Sequence, residues 1–131
     1  MQQKKDIINV DDIKILVDGF YEKVRRDDLI GPIFNYHVKD DWPEHLDKMY
    51  RFWQTVLLGE QTYFGSPFPP HTKMNIDHTH FLRWLSLFAP TVDELFEGTK
   101  ATEIKWRAEK MAELFESKLK YYKEQGLKNL I

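Results

Sequence analysis

The chain has 131 residues, of which 42% are hydrophobic and 31% charged, and its formal net charge is -2. That length suits a single domain, 1–131, and the charge argues against a nucleic-acid partner, which calls for a basic face. Cys is absent, which excludes disulfides and thiolate metal sites and fits a reducing cytoplasm.

In chain order, MQQKKDIINV lacks the apolar core of a signal peptide, and residues 1–10 read as an N-terminal extension. No apolar run approaches the length of a membrane span, so a cytoplasmic protein without membrane contact is expected. Ile13, Leu16, Val17, Phe20, Tyr21 and Val24 recur at three- and four-residue steps, predicting a helix over 11–26 capped by Asn9 or Asp11. Gly31-Pro32-Ile33-Phe34 reads as a turn. A second helix is predicted over 42–58, with Asp41 as N-cap, Pro43 and Glu44 in its first turn and Gly59 at its end. Its stripe is Trp42, Leu46, Met49, Trp53, Val56 and Leu57, flanked by Tyr50 and Phe52. The Gly- and Pro-rich stretch 59–77 reads as a long loop, of the kind that is usually functional.

A third helix is predicted over 78–89, stopped by Pro90. Thr91 and Glu94 then form a capping-box pattern that opens a short further segment. Beyond Gly98 a long helix is predicted over 100–125, with Gly126 as C-cap. Its stripe is Ile104, Ala108, Met111, Phe115, Leu119 and Tyr122. No stretch sustains an alternating pattern, so the fold class is all-α. The 4 Trp, 6 Tyr and 9 Phe exceed what so small a core needs, which fits either a flat apolar ligand or simply an aromatic-rich core.

Few side chains have the spacing of a chemical site. There are five histidines: His37, His45, His71, His78 and His80. His45 interrupts an apolar stripe; the ordinary explanation is a half-buried helix histidine with its hydrogen bond satisfied. His71 follows Pro69-Pro70 and by position is an exposed loop residue. His71, His78, His80 and Asp77 make a poor zinc set, because residues two apart on a helix face different ways. Tyr21 lies on the apolar side of the first helix, where its hydroxyl either bonds a backbone carbonyl or donates into a pocket. No nucleophile elbow, Gly-rich phosphate loop or H-E-x-x-H is present.

Taken together, several short motifs resemble one family. Y-E-K-V-R-x-D at 21–27, G-P-I-F at 31–34, W-P-E-H at 42–45, F-W at 52–53 and L-L-G-E at 57–60 are followed by G-x-P at 65–67, His71 and H-F-L-R-W-L-S-L-F at 80–88. Their order and spacing are similar to group III truncated haemoglobins from about residue 10 to the C-terminus. The Gly-Gly pairs of the other two truncated groups are absent. Met74-Asn75-Ile76-Asp77-His78 departs from the Pro-bearing sequence usual there.

The resemblance implies a two-over-two helical sandwich around haem b, with no metal other than its iron. It implies His71 as proximal iron ligand, Tyr21 and Trp84 as distal donors, and His45 at the distal entry. Phe34 would stack on the haem. Phe20, Met49, Phe52, Trp53, Ile76, Phe81, Trp84 and Phe115 would line the slot, with Lys48, Arg51 and Lys73 as propionate partners. Small ligands would be dioxygen, CO, NO or peroxide. Two donors on the distal side imply tight oxygen binding and suit NO dioxygenation or peroxidase-like chemistry with a separate reductase, rather than bulk oxygen transport. The alternatives are a haem-based sensor or carrier without turnover, and a haem-free helical interaction module.

Overall fold

The computed structural model describes residues 3–130, apart from the side chains of Lys73 and of residues 127–130. Among these residues the chain forms five helices and no strand: α1 (Val10–Arg26), α2 (Gly31–Val38), α3 (Trp42–Leu58), α4 (His78–Leu95) and α5 (Thr99–Leu130), with a 3₁₀ turn at Pro69–Lys73. α1 pairs with α3 and α4 pairs with α5, and the layers meet where α1 lies on α4 and α3 on α5. This is the two-over-two sandwich expected from the sequence.

α1 and α3 form where the sequence predicts them, to within a residue. The Asn9 side chain accepts from Asp12 N, and Asp11 and Asp12 lie in the first turn, where the helix dipole favours acid. Ile13, Leu16, Val17, Phe20, Tyr21 and Val24 are all buried. Asp41, in contrast, makes no capping hydrogen bond with its side chain.

Three boundaries differ from the sequence reading, each at a Gly or Pro. Gly31-Pro32 starts α2 rather than making a turn. Proline is well suited to a first helical turn, where its missing N–H has no partner to lose. Gly31 is required by close approach: a Cβ there would sit 2.9 Å from the Val24 carbonyl oxygen. Asp27 sets up this junction, its carboxylate accepting from Leu29 N and Ile30 N at 3.0 Å and pairing with Arg83.

α4 runs through Pro90 to Leu95. An interior proline costs about 3 kcal/mol. Phe88 and Val92 are 1% and 0% exposed, and each such burial is worth about 1.5–3 kcal/mol. Burial therefore outweighs the proline. Thr91 is an interior residue, not a cap, and its hydroxyl donates to the Leu87 carbonyl at 2.7 Å. Gly126 likewise falls inside α5, not at its end; a helical glycine costs only about 1 kcal/mol.

The N-terminal segment is tied into the fold. Ile7 is fully buried. Asp6 Oδ1 and Oδ2 accept from Ala101 N and Lys100 N, both at 2.9 Å, so a residue far away in sequence caps α5. Gly98 permits this contact: its φ is +135°, and a Cβ would stand 2.6 Å from the Asp6 carboxyl carbon.

Asp6→Ala is expected to lower stability by about 1–2 kcal/mol in urea unfolding, the usual cost of a lost cap. Gly98→Ala is expected to destabilise as well. Because the two residues touch, the double variant should lose less than the sum. Additive losses would show that Asp6 does not occupy the space above Gly98.

Candidate functional site

The apolar interior forms two bodies. The larger is built by α1, α3 and the middle of α4, and includes Phe20, Tyr21, Trp42, Trp53 and Phe88. The smaller consists of Phe68, Ile76, Phe115 and Leu119, where α5 faces the loop before α4. Met111 packs against both. Each body keeps apolar side chains that packing leaves half-buried. Phe34, Met49 and Trp84 belong to the larger, and Ile33, Met74 and Phe81 to the smaller.

Tyr21 and His45 meet in the larger body, ring edge to ring face, with centroids 5.2 Å apart. Phe34 from α2 lies 5.8 Å from Tyr21 and 6.5 Å from His45. Phe20 reaches the edge of Trp84 at 5.2 Å, and Trp84 stacks on Phe88 at an interplanar angle of 5°. Phe52 and Trp53 sit deeper. Trp53 stacks on Phe88, while Phe52 packs against Trp53 and Tyr63.

Three polar atoms of this body lack protein partners. Among the described residues neither the Tyr21 hydroxyl nor the Trp84 indole N–H makes a hydrogen bond. Neither is tied down as a structural tyrosine or tryptophan would be. His45 Nε2 is buried and also has no partner, although a satisfied hydrogen bond was the ordinary expectation. Burial pushes the Tyr21 phenol well above its usual range, so the hydroxyl keeps its proton. Burial also lowers the His45 pKa, and the charges of Lys48 and His71 push it the same way.

His71 belongs to the smaller body. Its ring centroid is 5.1 Å from that of Phe115, and it is half-buried rather than exposed. His71 Nδ1 lies 2.9 Å from the Pro67 carbonyl oxygen and 3.3 Å from that of Phe68. Both neighbours are acceptors, so Nδ1 must carry the hydrogen. The lone pair is then on Nε2, the arrangement of a metal-ligating imidazole whose other nitrogen donates to a backbone carbonyl. Burial lowers the His71 pKa; the two carbonyls oppose that and a charged His37 adds to it.

Haem needs apolar faces on both sides and an imidazole with a free nitrogen. These residues fit it: half-buried apolar surface on both bodies, Nε2 available on His71, and unpartnered polar atoms on the other side. Two other histidines, His78 and His80, are committed elsewhere. His80 Nδ1 accepts from Asp77 N and completes the cap of α4, while His78 pairs with Glu116 at 2.7 Å. Among the described residues no group of three or more His, Cys, Asp or Glu could hold a metal ion. Lys48 and Arg51 are engaged along α3 with Glu44 and Asp47; the Lys73 side chain lies outside the described residues.

Sequence reasoning missed three contributors. The Pro67 carbonyl orients His71, but a backbone atom carries no sequence signal. Phe68, buried beneath Phe115 and Tyr122, holds that carbonyl in place; a large apolar residue between prolines was the available clue. Trp42 packs on both His45 and Tyr21, at 5.5 and 5.9 Å, and its stripe position showed only that it is apolar.

Comparison with known proteins agrees with this fold. The family model described as bacterial-like globin matches residues 6–117. The chain is 35% identical over 123 residues to a group 3 truncated haemoglobin of Campylobacter jejuni, covering 91% of this chain and 97% of that protein. The crystal structure of the group III truncated haemoglobin from Campylobacter jejuni superposes with a TM-score of 0.82 at 35% identity, over 89% of this chain and 95% of that one.

The two lowered histidine pKa values fix the sign of a pH effect on the protein before haem is added. Both rings bind protons more weakly folded than unfolded, so protonation favours the unfolded chain. Stability is full above the unfolded value of 6.5 and falls as pH drops below it toward the lowered folded values. His45→Leu is expected to flatten this slope in denaturation curves taken from pH 7.5 to 5. It should also raise stability at pH 7.5 by about 1–3 kcal/mol, because it removes a buried unpaired nitrogen. Unchanged stability would show that water satisfies Nε2.

Proposed function

The chain belongs to the bacterial-like globins, and within them to the group III truncated haemoglobins; its cofactor is haem b, and we propose that His71 Nε2 holds the iron while Tyr21, His45 and Trp84 face the bound ligand from the opposite side. As a globin it binds dioxygen and other small ligands on haem. The observation that carries the ligand assignment is the bond from His71 Nδ1 to the Pro67 carbonyl. It leaves Nε2 as the one ring nitrogen able to coordinate.

When bound, haem would supply an iron able to take a diatomic ligand, with a separate reductase as the electron source for redox turnover. The chain supplies the surroundings. Phe34, Met49 and Trp84, backed by the nearly fully buried Phe20, present apolar surface from one body, and Ile76, Phe81 and Phe115 from the other, which keeps water away. Phe52 and Trp53 back the first group from behind. Tyr21 remains a neutral O–H donor because its burial disfavours the phenolate. Trp84 offers an N–H held in plane by its stack on Phe88. His45, kept neutral by burial, has one N–H and one lone pair and can donate or accept at the entry.

Hydrogen bonds to a group carrying negative charge contribute about 1.5–3 kcal/mol each. Each 1.4 kcal/mol is about tenfold in affinity. Two such donors favour tight binding and slow release, a poor profile for bulk oxygen transport. The same donors polarise the ligand, which favours redox detoxification of NO or peroxide.

Hemin added to the purified protein is expected to give a Soret band that shifts on reduction and with CO. His71→Ala should lose or grossly alter that band. A band unchanged in His71→Ala would assign the iron to another residue, with His45 the first to test. Tyr21→Phe is expected to speed oxygen release on the order of ten- to a hundredfold in stopped-flow exchange against CO. Detoxification predicts rapid NO consumption by the reduced, air-equilibrated protein at an NO electrode, and its absence would leave a binding function only.

A further inference from the structure

Between α1 and α3 lies an open cleft of about 480 Å³, lined by Asp18, Arg25, Trp42, Leu46 and Tyr50, with Tyr21 at its floor. It reaches the back of the site: Tyr21 is the distal donor proposed above, yet it also borders this outer cleft. Among the described aromatic residues of the cleft lining, Trp42 packs on both Tyr21 and His45. Trp42 meets the His45 ring at an interplanar angle of 87° and the Tyr21 ring at 60°. Only 6% of Trp42 is exposed although it starts a helix, and the Arg25 guanidinium covers its ring, 4.5 Å from the centroid. The other side of the cleft is tied by the Tyr50 hydroxyl, which donates to Asp18.

We infer that Trp42 is a positioning residue for Tyr21 and His45 and is also the wall between the α1–α3 cleft and His45, with Arg25 pinning it shut. Among the described residues His45 Nε2 is buried without a hydrogen-bond partner, and the Tyr21 hydroxyl makes no hydrogen bond to the protein. Their orientation is therefore set by packing, and on the cleft side that packing is Trp42. Replacing the indole with a small side chain frees both rings and opens a second way in for water and small ligands. This inference rests on the haem reading only for its consequences in ligand binding; the confinement of Tyr21 is a property of the chain alone.

The test compares Trp42→Ala, Trp42→Leu, Trp42→Phe and Arg25→Ala with the unaltered protein. In the haem-free chain carrying ¹³C-labelled tyrosine, NMR reads how fast the Tyr21 ring flips. Separate signals for the two ring edges are expected in the unaltered protein and in Trp42→Phe, and one averaged signal in Trp42→Ala or, should that variant not fold, in Trp42→Leu. In the hemin-loaded protein, CO association after flash photolysis is expected to rise on the order of tenfold in Trp42→Ala or Trp42→Leu, and by about two- to threefold in Arg25→Ala. The C–O stretching band should broaden in the same variants and return in Trp42→Phe. Unchanged ring flipping overturns the positioning role, and unchanged CO association in every variant overturns the wall. Failure of the unaltered protein to take up hemin overturns the haem reading instead, and the ring-flip measurement still decides whether Trp42 confines Tyr21.

Discussion

The hydrogen bond from His71 Nδ1 to the Pro67 carbonyl decides which imidazole nitrogen is left for the interior, and the arrangement of the site depends on that choice. With the tautomer fixed, Nε2 carries a lone pair and no proton. In the proposed site the opposite face presents donors. Tyr21 and Trp84 are such donors, and burial keeps the phenol protonated. In the proposed site the two sides thus differ in kind: a bare imidazole nitrogen on one and unpartnered donors on the other.

This division is costly to the fold. A closed core would merge its apolar side chains and satisfy its polar atoms. Here two apolar bodies retain half-buried faces, and His45 Nε2 is buried without a partner. Stability has to come from elsewhere, and the layer formed by α1 on α4 supplies it. Ile13, Leu16, Val17, Phe20, Phe88 and Val92 are all within 1% of full burial. At about 1.5–3 kcal/mol each, that layer can carry a proline inside α4 and an unpaired imidazole in α3. It is also why α4 passes through Pro90.

The same competition explains what the sequence reveals and what it hides. α1 and α3 are legible because their apolar residues repeat at helical spacing, and burial follows that spacing. Gly31-Pro32, Pro90 and Gly126 mislead because a local breaker signal is weighed without the packing that overrides it. At Gly31 the breaker is a close-approach residue, visible only once the Val24 carbonyl is placed above it. Within the site, Tyr21 and His45 stand out as polar groups on apolar stripes. His71 does not, since its loop has no period; the family resemblance alone points to it. Asp6 illustrates a third limit, because a cap contributed across the chain has no signature in either segment.

The loop that carries His71 shows how an irregular segment can be rigid. Pro69 and Pro70 fix two backbone φ angles immediately before the histidine. Phe68 inserts a ring, 6% exposed, between Phe115 and Tyr122, and the Lys118 ammonium covers it 5.1 Å from its centroid. At the far end, Lys123 Nζ donates to the Ile76 carbonyl at 3.0 Å. α5 thus grips the loop on both sides of His71, at Phe68 and at Ile76. Tyr122 and Lys123, both inside the predicted 100–125 span, make these contacts from the C-terminal part of α5. A helix stopping near Leu119 would leave the Pro67 carbonyl, and with it the orientation of His71, to a loop anchored from one side only.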